Sequence, residues 1–197
     1  MRKPIPMLGG GLVLLLVLAL TAGAGLAARV TGTNRSETIK GTNGRDAIKA
    51  RGGNDRVRAR NGEDLVYAGR GADRVSGGSG DDIVRGGAGA GADELFGGTG
   101  NDSLWALAGV DASLPGVDTV HGEGGNDTIH ARDNEPDLID CGGGTDRASL
   151  DPVDVILDAS PANPKGSCEH VTRGVPVKNQ DSRENKRENP PEDARQS

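Results

Sequence analysis

The chain has 197 residues, room for one ordinary domain with tails, and 33 of them are glycine. Only three residues are aromatic, Tyr67, Phe96 and Trp105. A conventional α/β enzyme or helical bundle needs more large side chains for its core. The glycines do not recur at every third position as they do in collagen. The net charge of −6 disfavours nucleic acid as a partner of the whole chain.

The first 28 residues predict a secretory signal peptide. Arg2 and Lys3 precede a long apolar run, and the small residues at 22–24 and 25–27 offer cleavage sites. An uncleaved membrane anchor is the alternative, because residues 7–28 carry no charge and are long enough to span a bilayer. With either interpretation, the remainder of the chain leaves the cytoplasm and we expect it to be extracellular.

An acidic residue recurs every nine positions in the middle of the chain. Each acid is followed two residues later by an aliphatic residue, and each of the five aspartates is preceded two residues earlier by a glycine. The acids are Glu37, Asp46, Asp55, Asp64, Asp73 and Asp82. The aliphatic residues are Ile39, Ile48, Val57, Val66, Val75 and Val84, and the glycines are Gly44, Gly53, Gly62, Gly71 and Gly80.

The repeat continues with interruptions to about residue 149. An insertion at roughly residues 106–115 separates two of its units. The later acids are Asp93, Asp102, Asp118, Asp127, Asp137 and Asp146. A period this short indicates a solenoid, in which each unit packs only against its neighbours.

Nine residues accommodate a six-residue turn and one short strand. Glycine suits the turn because it adopts positive φ at little cost, and the strand directs one aliphatic side chain inward. Two units make one coil of about 18 residues, and successive coils stack about 4.8 Å apart through parallel hydrogen bonds. Acids 18 residues apart therefore line up on one side of the solenoid, and acids nine apart lie on opposite sides.

Aspartates stacked about 5 Å apart in a column repel one another, so the column requires a positive charge to compensate them. Carboxylate and main-chain carbonyl oxygens are the ligands that Ca²⁺ prefers, whereas Mg²⁺ requires a tighter octahedron. Zinc is disfavoured because the loops lack histidine and cysteine. Outward lysine or arginine side chains are the alternative source of positive charge.

The best-preserved units, residues 41–49, 77–85, 97–105 and 122–130, read GTNGRDAIK, GGSGDDIVR, GGTGNDSLW and GEGGNDTIH. They resemble the RTX or hemolysin-type calcium-binding repeat, GGxGxDxUx. The resemblance spans about residues 32–149 and implies an all-β parallel β-roll of about six coils over residues 29–149, binding several calcium ions. The implied carboxylate ligands are Asp46, Asp55, Asp64, Asp73, Asp82, Asp93, Asp102, Asp118, Asp127, Asp137 and Asp146. The implied main-chain positions are Gly44, Gly53, Gly62, Gly71, Gly78, Gly80, Gly98, Gly100 and Gly125.

Several units depart from this pattern. The first has Arg35 and Glu37 where the repeat prefers glycine and aspartate, so we expect a cap with a doubtful site. The units at residues 50–58 and 59–67 begin with Ala-Arg and are less glycine-rich. Asn134 stands at a strained turn position, which asparagine tolerates.

Cys141 and Cys168 are the two cysteines of the chain. Pairing is expected in an exported protein, and two free thiols are the alternative. The bridge would fasten residues 150–170 onto the last coil as a strand-and-turn cap. Residues 171–197 have mixed charge, Pro190-Pro191 and few apolar side chains, so we expect a disordered tail.

The leading functional hypothesis is a secreted structural or binding module that is unfolded without calcium. The alternative is a carbohydrate- or wall-polymer-binding protein that uses exposed aromatics and a basic stretch at residues 35–60. The aromatics share the ninth position of their units with His121 and His130, which we expect on opposite sides of the roll. No catalytic motif is found, so we do not expect an enzyme, and we expect no membrane contact after signal cleavage.

Overall fold

The computed structural model describes residues 13–15, 27–87, 91–106, 116–163 and 165–174. The described residues form two parallel sheets of eight strands each. Sheet A contains β1 (Val13–Leu15), β3 (Glu37–Lys40), β5 (Arg56–Asn61), β7 (Arg74–Ser79), β9 (Glu94–Thr99), β11 (Thr119–Gly124), β13 (Leu138–Asp140) and β15 (Val155–Ile156). Sheet B contains β2 (Arg29–Thr31), β4 (Ala47–Gly52), β6 (Leu65–Arg70), β8 (Ile83–Arg85), β10 (Ser103–Trp105), β12 (Thr128–Ala131), β14 (Arg147–Leu150) and β16 (His170–Arg173).

The chain alternates between the two sheets, so that each strand pairs with the strand two places along the sequence. Ile48 of β4 pairs with Val66 of β6, and Val57 of β5 pairs with Val75 of β7, which is the expected 18-residue coil. The predicted all-β parallel solenoid is therefore confirmed. It has about seven turns rather than six, because β15 and β16 extend both sheets beyond the predicted end of the roll.

The core is narrow and contains one large aliphatic side chain per strand. The residues two positions after the acids are fully buried, from Ile39 through to Ile139. Side chains on either side of them point outward, since strand side chains alternate. The first position of each loop also faces the core, where Ala50, Ala59 and Ala68 are completely buried.

The C-terminal end of the core is closed by larger groups. Leu150 and Ile156 are buried there, and the predicted disulfide between Cys141 and Cys168 is present, with the two Cα atoms 5.2 Å apart. The Arg173 guanidinium donates hydrogen bonds to the carbonyl oxygens of Asp151 and Asp154, at 2.9 and 3.1 Å. The segment predicted as a cap thus continues both sheets, and Arg173 of β16 is bonded to the loop that precedes β15.

At the N-terminal end, β1 pairs in parallel with β3. Most of the predicted signal peptide lies outside the described residues, as do residues 175–197 of the predicted tail, so those domain boundaries stay predictions. The described part of the chain contains no helix with the length and hydropathy needed to cross a membrane.

Candidate functional site

The loops between the sheets lie along two opposite edges of the roll. The loops of the first edge lead into sheet A, and those of the second edge lead into sheet B. The first-edge loops, which begin within the last residues of the longer strands, are residues 32–37, 50–55, 68–73, 86–93, 106–118, 131–137 and 150–154, and residues 88–90 and 107–115 among them lie outside the described part of the chain. The second-edge loops are residues 41–46, 59–64, 77–82, 97–102, 122–127 and 141–146. Each loop ends in an acidic residue.

These acids form two continuous hydrogen-bonded ladders. In each ladder, the backbone N–H of one acid donates to a carboxylate oxygen of the acid one turn further along. On the second edge the bonds of 2.6–2.8 Å join Asp46, Asp64, Asp82, Asp102, Asp127, Asp146 and Glu169. On the first edge the bonds of 2.7–3.2 Å join Glu37, Asp55, Asp73, Asp93, Asp118, Asp137 and Asp154. All eleven predicted aspartates therefore lie in the ladders.

The ladder bonds use only one oxygen of each carboxylate. In eight of the aspartates, all at most 3% exposed, Oδ2 is buried without a hydrogen-bond partner. A buried polar oxygen without a partner is costly and is rarely found in folded proteins. The eight are Asp55, Asp64, Asp73, Asp82, Asp102, Asp127, Asp137 and Asp146.

Burial raises the pKa of the ladder aspartates from Asp55 to Asp154 on the first edge and from Asp64 to Asp146 on the second. Desolvation is the main cause, and the hydrogen bond from the preceding acid opposes it while neighbouring carboxylates add to it. The pKa of Asp64 rises to about 6 and that of Asp82 to about 7. Burial raises the pKa of Asp93 to about 9. Without a cation, the ladders therefore disfavour full ionisation at neutral pH.

Main-chain carbonyl groups line up beside the unpaired oxygens. In seven loops of the described residues, the second and fourth positions both adopt left-handed conformations, as in Gly78 (φ 120°) and Gly80 (φ 123°). A Cβ added to Gly98 would overlap the carbonyl oxygen of Gly78 one turn earlier, and a Cβ on Gly100 would overlap that of Gly80. Equivalent carbonyl groups are therefore stacked along the edge.

One glycine shows how closely the two kinds of oxygen approach. A Cβ on Gly77 would lie 2.7 Å from the carbonyl oxygen of Gly97 and would overlap Oδ2 of Asp82. Carboxylate and carbonyl oxygens thus converge on the same side of the loop, and this donor set fits Ca²⁺. Within the described residues, no three His, Cys, Asp or Glu side chains are arranged around a common metal position. A cation at these loops must therefore use main-chain oxygens as well.

The first loop of each edge differs from the predicted geometry. Gly44 was expected to be a left-handed loop position, but it is absent from the residues with positive φ. In its loop, the backbone N–H and the hydroxyl group of Thr42 donate to the two carboxylate oxygens of Asp46, at 2.6 and 2.8 Å. Thr33 holds Glu37 in the same way. Both acids therefore have protein donors for their two oxygens; a doubtful site was expected for Glu37 of the first unit, whereas Asp46 of the second unit was predicted as a calcium ligand.

Asp154 and Glu169, the last members of the two ladders, were not predicted from the sequence. Both satisfy the rule that found the others, since Ile156 and Val171 follow them by two residues. Their spacing from the preceding unit is irregular, whereas most of the other acids recur with a period near nine.

An additional row of exposed hydrogen bonds runs along each edge, formed by the residues immediately before the acids. Asn101 Oδ1 accepts the backbone N–H of Asn126 at 2.9 Å, and Asn126 Oδ1 accepts that of Thr145 at 2.8 Å. On the other edge, Ser36 Oγ accepts from the N–H of Asn54, and Asn54 Oδ1 accepts from the N–H of Ala72. The sequence signal is the asparagine that recurs immediately before an aspartate.

The aromatic side chains form stacks on the outer faces of the sheets. Trp105 lies between Arg85, whose guanidinium carbon is 4.8 Å from the ring centre, and His130, whose ring is 3.8 Å away. Phe96 lies between Arg74 at 4.5 Å and His121 at 4.9 Å. The two histidines are in different sheets, as predicted. Burial, together with the nearby Arg85 and Arg132 charges, lowers the pKa of His130 to about 4.

Comparison with known families assigns the repeat. The family model for the RTX calcium-binding nonapeptide repeat matches four segments, residues 31–66, 58–91, 88–112 and 114–135. Together they span slightly more than half of the chain. No curated protein and no solved structure gives a significant match.

Proposed function

The chain belongs to the family of RTX calcium-binding nonapeptide repeat proteins, and from this we propose that its roll folds when calcium binds to the loops. Calcium binding by the repeat module follows from the family, and the coupling to folding is our proposal. The observation that carries it is the set of buried, unpaired carboxylate oxygens along both edges.

Each of the eight ladder aspartates with an unpaired Oδ2 has two tasks in this proposal. One oxygen accepts the N–H of the preceding acid and fixes the register between turns, as between Asp64 and Asp82 at 2.8 Å. The other oxygen carries charge that no protein donor balances. Calcium, when bound, supplies that positive charge. With one large aliphatic side chain per strand, the hydrophobic core alone is too small to hold the ladders together against this charge.

A calcium titration followed by far-UV circular dichroism tests the coupling. We expect the purified full-length chain to gain β signal cooperatively with Ca²⁺ and to lose it with chelator. Magnesium is the control, because it fits a flexible, carbonyl-rich loop poorly. A spectrum that is the same with and without calcium would contradict the proposal.

We assign the protein to the extracellular space as a structural or binding module without catalytic activity. The basic and apolar pattern of residues 1–28 supports export, and the Cys141–Cys168 disulfide is typical of an oxidising compartment. The ladder acids have structural partners, which supports a role for them in binding rather than catalysis. Mass spectrometry of the protein recovered from the culture medium would show whether the leader is removed.

The carbohydrate-binding alternative has weaker support. Sugar stacking needs an open ring face, and both faces of Trp105 and of Phe96 are covered by neighbouring side chains. The basic stretch at residues 35–60 is better placed to bind an acidic polymer, because its Arg56 and Arg58 side chains are exposed while its Asp46 and Asp55 side chains are buried. A polysaccharide pull-down that compares the wild type with Trp105→Ala and Tyr67→Ala would decide whether the aromatics bind a polymer.

A further inference from the structure

The outer face of sheet A carries a group of positive charges near its N-terminal end. Side chains point outward at alternate positions of a strand, and in β5 these positions are Arg56, Arg58 and Arg60, all of them exposed. The neighbouring strand β3 adds Lys40. We call these four residues the basic face. Strands β9, β11 and β13 of the same sheet contain no lysine or arginine, so the positive charge is confined to one end of the sheet.

The strand register places like charges of this face directly opposite one another. Lys40 of β3 lies opposite Arg58 of β5, and Arg56 of β5 lies opposite Arg74 of β7. Neighbouring strands are only about 4.8 Å apart, and like charges in opposite positions destabilise a sheet. An anion bound across these strands would remove that repulsion.

Sheet B avoids this arrangement in the corresponding part of the roll. Lys49 of β4 lies opposite Thr31 of β2 and Tyr67 of β6. Arg51 of β4 lies opposite Gly69. Each of these two positive charges therefore has neutral neighbours. Although both sheets are rich in basic residues here, the opposed like charges are a property of the outer face of sheet A.

No acidic side chain of the described residues compensates the basic face. Within those residues, none of its four members takes part in an ion pair, whereas Arg74 on the next strand is paired with Glu94. Burial raises the pKa of Asp55 and Asp73, a backbone hydrogen bond opposes the rise, a neighbouring carboxylate adds to it, and no lysine or arginine is among these causes. The basic face therefore does not balance the buried acids of the ladders.

The groups on this surface suit a ligand that has both carboxylates and hydroxyl groups. Arginine supplies three of the four charges, and its planar fork binds a carboxylate through two parallel hydrogen bonds. Hydroxyl side chains lie in the same rows, with Thr38 opposite Arg56 and Ser76 opposite Arg58. The outward positions of β3 and β5 contain no aromatic or aliphatic side chain, which single-stranded nucleic acid needs for base stacking and a membrane needs for insertion.

We propose that the basic face binds an acidic polysaccharide, with the uronate carboxylates on the arginines and the sugar hydroxyl groups on Thr38 and Ser76. The polymer lies across β3, β5 and β7, because the opposed residues of these strands form rows along the axis of the roll. This inference rests on the calcium-dependent folding proposed above, since only the folded roll brings the three strands together. It assigns polymer binding to a sheet face that is separate from the aspartate ladders and from the aromatic stacks.

Fluorescence anisotropy with a labelled galacturonate oligomer, too short to form a gel with calcium, tests the proposal on the full-length chain at constant free calcium. We expect the double variant Arg56→Gln, Arg58→Gln to bind the oligomer about tenfold more weakly, because it removes two charge-assisted contacts. The double variant Lys49→Gln, Arg51→Gln is the matched control, since it removes the same charge from sheet B. We expect that control to weaken binding by less than about threefold. An uncharged glucose oligomer of equal length should not bind.

Arg58→Lys separates the planar fork from the charge, and we expect a loss of affinity between those of the two double variants. Far-UV circular dichroism at saturating calcium shows whether each variant is folded. Equal weakening by the two double variants would overturn the proposal, as would a wild-type chain that folds with calcium but does not bind the oligomer. Tighter binding of single-stranded DNA or of anionic lipid vesicles would also overturn it. A chain without a calcium-dependent β signal would instead contradict the proposed function on which this inference rests.

Discussion

The backbone N–H of Asp82 donates a 2.8 Å hydrogen bond to Oδ1 of Asp102, while Oδ2 of Asp102 is buried without a partner. One carboxylate therefore fixes the register of two turns and also presents an uncompensated charge to the loop. The two roles belong to different oxygens of the same group. Because the register bond places the charged oxygen, strand pairing and cation binding are linked along the whole edge.

Two substitutions at Asp82 separate these roles. Asp82→Asn keeps an oxygen for the N–H of Asp64, whereas Asp82→Ala leaves that buried N–H without a partner. We expect the alanine variant to be less stable than the asparagine variant by about 1–3 kcal/mol, the usual cost of an unsatisfied buried donor. Urea unfolding at saturating calcium measures the difference. Equal stability of the two variants would show that the register bond contributes little.

The stacked glycines predict that the stability cost of a glycine-to-alanine substitution depends strongly on its position in the loop. Gly98→Ala would place a Cβ onto the carbonyl oxygen of Gly78 and would force alanine to φ 119°. We expect it to destabilise the roll by about 2–4 kcal/mol or to prevent folding. Gly124→Ala is the matched control, because its Cβ would have no neighbour closer than 3.9 Å and its φ is not left-handed. We expect that control to change the stability by less than about 0.5 kcal/mol. Thermal unfolding of both variants with calcium provides the comparison.

The solenoid could be predicted from the sequence because its determinants are local and periodic. The acid, the aliphatic residue two positions later and the turn glycines recur at a fixed spacing, and each affects only its own turn and the next. The same reasoning placed the buried Ile48 and Val66 correctly and paired Cys141 with Cys168. It also anticipated the left-handed conformation of Asn134 (φ 74°).

The features that could not be predicted depend on side-chain hydrogen bonds within a loop and on contacts between turns. Thr42 satisfies Asp46 through a loop that lacks the left-handed glycine expected at Gly44. The strands at Val155–Ile156 and His170–Arg173 have irregular spacing, and only pairing with β13 and β14 reveals them as repeat units. Which oxygen of each aspartate is free likewise depends on the neighbouring turn. A nine-residue period carries no information about this choice.

The raised pKa values predict that acid stabilises the calcium-free roll. In the folded chain, burial raises the pKa of Asp64 to about 6 and that of Asp73 to about 7, from an ordinary value of 3.8. The folded state then holds more protons than the unfolded state between these values, so stability falls as pH rises from about 4 to about 7. Calcium needs the ionised form, so its affinity should rise over the same range.

Circular dichroism in chelator at about pH 4.5 and pH 7.5 tests this dependence, and we expect more β signal at the lower value. His130 acts in the opposite direction. Burial lowers its pKa in the folded state to about 4. The stability that the neutral ring contributes is therefore lost as pH falls below the ordinary histidine pKa. His130→Gln removes that opposing effect and should enlarge the acid stabilisation. A β signal that increases with pH in the absence of calcium would contradict the prediction.

The disulfide should stabilise the C-terminal turns in particular. Cys141 and Cys168 are 27 residues apart, and cross-linking a loop of that length restricts the unfolded chain by about 3–4 kcal/mol in the chain-entropy estimate. Both cysteines are completely buried beside the last core residues, and the backbone N–H of Cys141 also donates to Ser167 Oγ at 3.0 Å. Replacing both cysteines with serine removes the cross-link and should destabilise β15 and β16 first.

Hydrogen–deuterium exchange at saturating calcium locates this effect. We expect faster exchange in residues 150–174 of the double serine variant and little change in residues 47–85, because solenoid turns contact mainly their neighbours. Replacing both cysteines with alanine is a useful control, since it removes the cross-link without burying two hydroxyl groups. Uniformly faster exchange along the roll would show that the last turns are coupled to the whole solenoid and do not open independently.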